Sequence, residues 1–161
     1  MIVLDTNVLS ALMQQQPDAQ VVAWLDNQPA ESIWISSITL FEARYGLALL
    51  ASGQRKRLLQ ERFDEFLQDD LENRVLLFDA DAATLAAQLA AERKERGRPV
   101  DIRDTFIAGI ALARRATLAT RNTRHFDDLS VRVVNPWAVG ARHRARRSAL
   151  LPAHRSGDPA R

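Results

Sequence analysis

The chain has 161 residues, 47% of them hydrophobic and 26% charged, which suits a single domain with a real core. It has no cysteine, so a disulfide scaffold, a thiol nucleophile and thiolate metal sites are excluded. Asp5 interrupts the apolar start and the longest apolar or small run, Phe106–Ala113, is far short of a membrane span, so neither secretion nor membrane insertion is expected. Charge is unevenly placed: residues 138–161 carry six arginines against one acid, a net of +5, while residues 1–137, with sixteen basic and nineteen acidic groups, are net −3. A basic tail beside an acidic body hints at nucleic acid.

In chain order, Met1-Ile2-Val3-Leu4 reads as a buried strand that stops at Asp5-Thr6-Asn7. Pro17-Asp18 opens a helix with Val21, Val22 and Leu25 on one face. Ile33-Trp34-Ile35 is a second strand. Ser36-Ser37 caps the next helix, where Ile38, Phe41, Tyr45 and Leu49 fall at helical spacing. Leu58, Leu59, Phe63, Phe66 and Leu67 mark another helix, and Val75-Leu76-Leu77-Phe78 a third strand. Helices follow over Ala82–Arg96, ended by Gly97, and over Asp101–Arg115. Thr117-Leu118-Ala119-Thr120 is a fourth strand and Val131-Arg132-Val133-Val134 a possible fifth. Short apolar strands alternating with amphipathic helices predict an α/β fold: a parallel central sheet of four to five short strands, flanked by helices on both faces.

In open α/β sheets, ligands lie beyond the carboxyl ends of the strands. That rule selects Asp5 after the first strand and Glu42 in the helix after the second. It also selects Asp104, in the first turn of the helix before the fourth strand. Thr6, Thr120 and Asn122 add polar groups at the ends of the first and fourth strands. Carboxylates gathered at strand ends, without cysteine or a well-placed histidine, point to hard oxygen coordination of Mg²⁺ or Mn²⁺. Each acid also has a plain structural reading: Asp5 as a turn or helix cap, Glu42 as a solvated helical acid, Asp104 as a first-turn acid behind the cap Asp101. Phe41 and Tyr45 are expected to face the core, which places Glu42 near the buried edge. Asp79 and Asp81 read as helix-capping acids, Asp127-Asp128 as a turn, and Glu92–Arg96 as a charged helix end needing no function. His125 reads as a surface histidine close to Asn122, and Trp24 and Trp34 as core. Arg44 and Arg121 lie near enough to hold flanking phosphates.

Five segments, in order, carry a resemblance. They are Ile2-Val3-Leu4-Asp5-Thr6-Asn7-Val8-Leu9, Ser36-Ser37-Ile38-Thr39-Leu40-Phe41-Glu42-Ala43-Arg44-Tyr45-Gly46, Asp104-Thr105-Phe106-Ile107-Ala108-Gly109, Ala119-Thr120-Arg121-Asn122-Thr123-Arg124-His125-Phe126 and Val134-Asn135-Pro136-Trp137. Together they resemble the PIN-domain nucleases, most nearly the VapC and FitB toxins of bacterial toxin–antitoxin pairs, over residues 1–137. The resemblance implies a PIN domain there, followed by a basic tail over 138–161 that it does not cover. It implies a cytoplasmic endoribonuclease that hydrolyses RNA phosphodiester bonds and needs Mg²⁺ or Mn²⁺, with Asp5, Glu42 and Asp104 as the acidic metal ligands. Thr6 and Thr120 match the site hydroxyls. Asn122 stands where many members carry a fourth acid, and His125 where many carry an aspartate before phenylalanine, which leaves one or two ions open. The implied partners are a VapB/FitA-like antitoxin whose C-terminal segment lies over the acids, a second copy of the chain, RNA as substrate, and operator DNA through the antitoxin.

The rival from another class is a catalytically weak module that acts as an antitoxin-bound co-repressor. Asn122 favours it and the intact set of three acids disfavours it. A phosphotransferase of the haloacid dehalogenase type needs a second aspartate where Asn7 stands, and a dinucleotide site needs a Gly-rich turn that is missing after the first strand.

Overall fold

The structure, a computed structural model, describes residues 1–138. The basic tail, apart from Ala138, lies outside the described residues. Strands run over Ile2–Leu4 (β1), Ile33–Ser36 (β2), Val75–Leu76 (β3), Thr117–Ala119 (β4) and Val133–Val134 (β5). Helices run over Thr6–Leu12 (α1), Ala19–Leu25 (α2), Ser37–Leu49 (α3), Gln54–Glu65 (α4), Ala80–Glu95 (α5) and Ile102–Ala113 (α6). Short 3-10 turns lie at Ala30–Ser32 and Thr123–Phe126, and α4 runs on into a π turn at Phe66–Asp70.

All strand pairs are parallel, in the order β3-β2-β1-β4-β5. β1 is central: Leu4 pairs with Ile35 on one side and Ala119 on the other. From β1 the chain builds outward through β2 and β3, then returns to lay β4 and β5 on the opposite side. The carboxyl ends of β1 and β4 therefore flank the point where strand order reverses, the place where open α/β sheets leave a crevice.

Strand alternation divides the core between the two faces. Val3 and Leu118 point to one side, among Ala82, Leu89, Ile107, Ile110 and Phe126. Leu4, Ile33, Ile35 and Ala119 point to the other, among Val8, Val21, Trp24, Leu67 and Leu71. Helices α5 and α6 thus cover one face, and α1, α2 and the π turn cover the other. α5 and α6 approach closely because residue 109 is glycine. A Cβ there would stand 2.7 Å from the Ala86 Cβ and closer still to the Ala82 carbonyl.

Helix starts follow their caps. Side chains of Asp5, Asp18, Ser36, Asp79 and Asp101 accept from backbone N–H groups at the starts of α1, α2, α3, α5 and α6. α5 ends before Gly97, whose φ of 66° is the left-handed conformation that glycine takes without strain. α1 was not expected from the sequence. Its signal was the pairing of Asp5 as cap with Val8, Leu9 and Leu12 on one side.

The expectation that Phe41 and Tyr45 face the core is overturned. They are 59% and 54% exposed, with Leu49 at 69%, and the two rings stack on each other with centroids 5.8 Å apart. α3 is buried through Thr39 and half-buried Ile38, Leu40, Ala43 and Leu47 instead. Periodicity finds an apolar stripe but does not say what covers it.

Candidate active site

Asp5 is the deepest of the three acids, at 4% exposure. Its backbone N–H continues the β1–β4 ladder by donating to the Ala119 carbonyl, 2.9 Å. Its Oδ1 accepts from the Thr6 N–H at 2.7 Å. Its Oδ2 accepts from the Asn7 amide at 2.6 Å and the Thr120 hydroxyl at 2.7 Å. Asp5 therefore both caps α1 and stands at the crevice. Thr120, fully buried, also accepts from the Asn7 amide at 3.1 Å and from the Asn122 N–H at 3.0 Å. Asn7 Oδ1 in turn accepts from the Arg121 N–H at 2.9 Å. This lattice ties the ends of β1 and β4 and fixes the rotamer of Asp5.

Glu42 enters from α3, whose first turn is set by Ser36. The Ser36 hydroxyl accepts from the Thr39 N–H at 2.9 Å, and the Thr39 hydroxyl donates to the Leu4 carbonyl at 3.3 Å. α3 is thereby anchored to the end of β1. Glu42 Oε2 accepts a short hydrogen bond from the Thr6 hydroxyl, and Oε1 pairs with Arg103 Nη1 at 3.1 Å. Asp104 enters from the first turn of α6, its N–H held by the cap Asp101 at 3.2 Å. Its Oδ2 lies 2.7 Å from His125 Nδ1.

The acids share one electrostatic field. Burial raises the pKa of Asp5, the bonds from Thr120 and Thr6 pull it back, and the charges of Asp104 and Glu42 push it up again. All six carboxylate oxygens are hard donors suited to Mg²⁺ or Mn²⁺. Among the described residues, no group of three acids or histidines is gathered closely enough to enclose an ion by side chains alone.

The structure thus brings Asp5, Thr6, Glu42, Asp104 and Thr120 to one end of the sheet. Asn122 joins through its backbone, and its side chain is exposed. His125, expected as a surface histidine, is indeed 57% exposed yet touches Asp104. Arg93 and Asp128, expected as solvated helix end and turn, form an ion pair with both side chains under 10% exposed, at 4% and 6%. Arg44 pairs with Asp64 at 2.6 Å, and Arg121 lies over the Trp137 ring. Sequence reasoning also missed Asn7 and Arg103. Their one signal was position, two residues after Asp5 and one before Asp104.

A PIN-domain family model matches residues 2–131. The chain belongs to the PIN-domain family. VapC ribonuclease Y4jK of Sinorhizobium fredii is 41% identical over 137 residues, 85% of this chain and 98% of that protein. Toxin FitB of Neisseria gonorrhoeae is 40% identical, over 85% of this chain and 99% of its own length. The solved structure of FitAB bound to the IR36 DNA fragment matches with a TM-score of 0.78 at 40% identity, covering 85% of this chain and 96% of that one. Within the PIN family the chain is a VapC-type ribonuclease toxin of a type II toxin–antitoxin system. The α/β fold read from the sequence and its resemblance to this family are both borne out. Solved relatives are toxin–antitoxin complexes, some of them on DNA.

Proposed function

We propose that this PIN domain is a Mg²⁺- or Mn²⁺-dependent endoribonuclease whose working acids are Asp5, Glu42 and Asp104. The observation that carries this is the buried Asp5, whose pKa is raised chiefly by that burial and further by the charges of the neighbouring Asp104 and Glu42. Acids placed so as to repel one another at a switch point are a poor way to stabilise a fold and a good way to hold a cation. A divalent ion there supplies Lewis-acid polarisation of the phosphoryl oxygen and acidifies water near neutral pH. Asp5 and Asp104 hold it directly or through water, since Mg²⁺ gives up its waters reluctantly. Glu42 orients the attacking water and accepts its proton. Thr6, Thr120 and Asn7 keep the carboxylates in place, and Asn122 offers a neutral oxygen at the rim. Single-stranded RNA, whose backbone and bases are accessible, is the favoured substrate form.

The partners follow from two surfaces. A cavity of about 690 Å³ runs from Thr6 and Glu42 between α1, α3 and α4, floored by Leu9, Leu47, Leu59 and Phe63. It suits an apolar antitoxin segment that ends over the acids, the arrangement expected of a VapB/FitA-like partner, through which the toxin meets operator DNA. The exposed Phe41, Tyr45 and Leu49 face of α3 suits a second copy of the chain. The site of action is the cytoplasm, where RNA and antitoxin meet. No helix among the described residues is long and apolar enough to cross a membrane.

The test is cleavage of a mixed panel of structured RNAs by antitoxin-free protein with Mg²⁺, Mn²⁺ or EDTA, beside Asp5→Asn. Cutting that needs the metal and is lost in a folded Asp5→Asn protein supports the reading. A folded wild type that binds Mn²⁺ but cuts nothing favours the co-repressor alternative, which the uncharged Asn122 also favours.

A further inference from the structure

Arg103 stands where a helix gains nothing from it. It lies in the first turn of α6, where the helix dipole disfavours a cation. Its Nη1 instead reaches Glu42 Oε1 on α3 at 3.1 Å, across the mouth of the crevice. Its Nε is 4.0 Å from Asp101 Oδ1, and that oxygen is already used by the Arg103 and Asp104 N–H groups. The other Glu42 oxygen is held by the Thr6 hydroxyl. Among the described residues, Arg103 is the one lysine or arginine whose side chain pairs with Asp5, Glu42 or Asp104. It is also 57% exposed, so its head can leave Glu42 by side-chain rotation alone.

We propose that Arg103 is a tethered counter-ion, holding Glu42 while the acidic site lacks a divalent ion and moving to a phosphate of the RNA backbone once the ion is bound. The proposal rests on the metal-dependent nuclease reading above. An exposed ion pair is weak, so a doubly charged cation competes with it readily. The released guanidinium then stands at the mouth with five donors in a planar fork, a match for phosphate oxygens that a lysine ammonium lacks. The same side chain balances the site's charge before loading and binds the substrate's charge after it.

The two roles predict opposite effects of one substitution, which a merely structural residue would not produce. Full-length wild type, Arg103→Ala and Arg103→Lys are titrated with Mn²⁺ by calorimetry. Binding of fluorescein-labelled oligouridylate is followed by anisotropy in Ca²⁺ over a salt series. Arg103→Ala is expected to bind Mn²⁺ about three- to fivefold more tightly, the size of an exposed ion pair. It is expected to bind the oligouridylate more weakly, with a salt slope lower by about 0.7, the value for one phosphate of a single strand. Arg103→Lys keeps Mn²⁺ affinity near wild type and still loses RNA affinity. An Arg103→Ala protein that binds Mn²⁺ no tighter than wild type overturns the counter-ion, and an unchanged salt slope overturns the transfer to phosphate. Failure of the underlying nuclease reading shows separately, as a wild type that binds no Mn²⁺ at all.

Discussion

Arg93→Met tests whether the loop beside the acids is braced from behind. Arg93 and Asp128 form the most deeply buried ion pair among the described residues. The guanidinium donates to both Asp128 oxygens at 2.8 Å and to the His125 carbonyl at 2.8 Å. Removing one partner of a buried pair costs about 3–5 kcal/mol, because the other charge is left in a poor solvent. Here Arg98 Nη1 lies 3.7 Å from Asp128 Oδ2 and softens the loss. The expected cost is near the lower end, about 3 kcal/mol, or a fall in Tm of about 6–12 °C for a domain of this size. Adding Asp128→Leu should recover at least half of it, since an apolar pair can replace a buried ionic one at little cost. The pH dependence has a definite sign. Arg93's hydrogen bond, foremost, holds the Asp128 carboxyl below its usual range. Its stabilisation is therefore present above the ordinary aspartate pKa and is lost as pH falls through the depressed folded value. Thermal unfolding by circular dichroism across pH reads both effects. A Tm loss below about 2 °C, under 1 kcal/mol on this scale, or a gap to wild type that stays constant into acid, would refute the reasoning.

Three further outcomes are expected. Asp5→Asn should raise Tm at neutral pH without added metal. The folded pKa of Asp5 is raised chiefly by burial, so its stabilisation is present below the ordinary aspartate value and lost as pH rises through the folded one; a mutant no more stable than wild type at neutral pH contradicts this. Gly109→Ala should destabilise by about 1–2 kcal/mol in urea unfolding, the overpacking against Ala82 and Ala86 outweighing a gain of about 1 kcal/mol in helix propensity; an unchanged midpoint would mean that α5 and α6 part easily. Truncation after Gly140 removes six arginines and should lower the salt slope of RNA binding, while an unchanged slope would make the tail a bystander.

Much of this architecture was legible because local signals agreed with the fold. The strand ends at Asp5 and Ser36 and the caps at Asp18, Asp79 and Asp101 combine apolar runs with residues that satisfy helix N–H groups. Asp5, Glu42 and Asp104 were selected by one topological rule and found at one end of the sheet. What escaped depended on distant partners. Arg93 lies in a run of charges that looks solvated, and its burial requires Asp128, 35 residues later. Asn7 matters because Thr120, 113 residues away, returns beside it. Phe41 and Tyr45 misled for the opposite reason: their spacing is that of a buried stripe, yet among the described residues they are exposed and stack on each other. His125 was placed correctly on the surface, but nothing local says that the 3-10 turn aims its ring at Asp104.

The site also explains where the fold's polar effort is spent. Asp5 is buried among like charges, an arrangement that destabilises the folded state at neutral pH. The surrounding bonds do not remove that conflict but hold it still. Thr120 and Asn7 lock the Asp5 carboxylate, Thr6 holds Glu42, and His125 holds Asp104. Behind them the Arg93–Asp128 pair fixes the turn that carries His125. Removing a charge from the front of this assembly and removing one from the back should therefore move stability in opposite directions while both lower cleavage. Asp5→Asn relieves the conflict and takes away a carboxylate that we propose holds the metal. Arg93→Met leaves the conflict in place and loosens what holds it. Residues selected only for stability would not divide in this way, because losing any of them would lower stability and activity together.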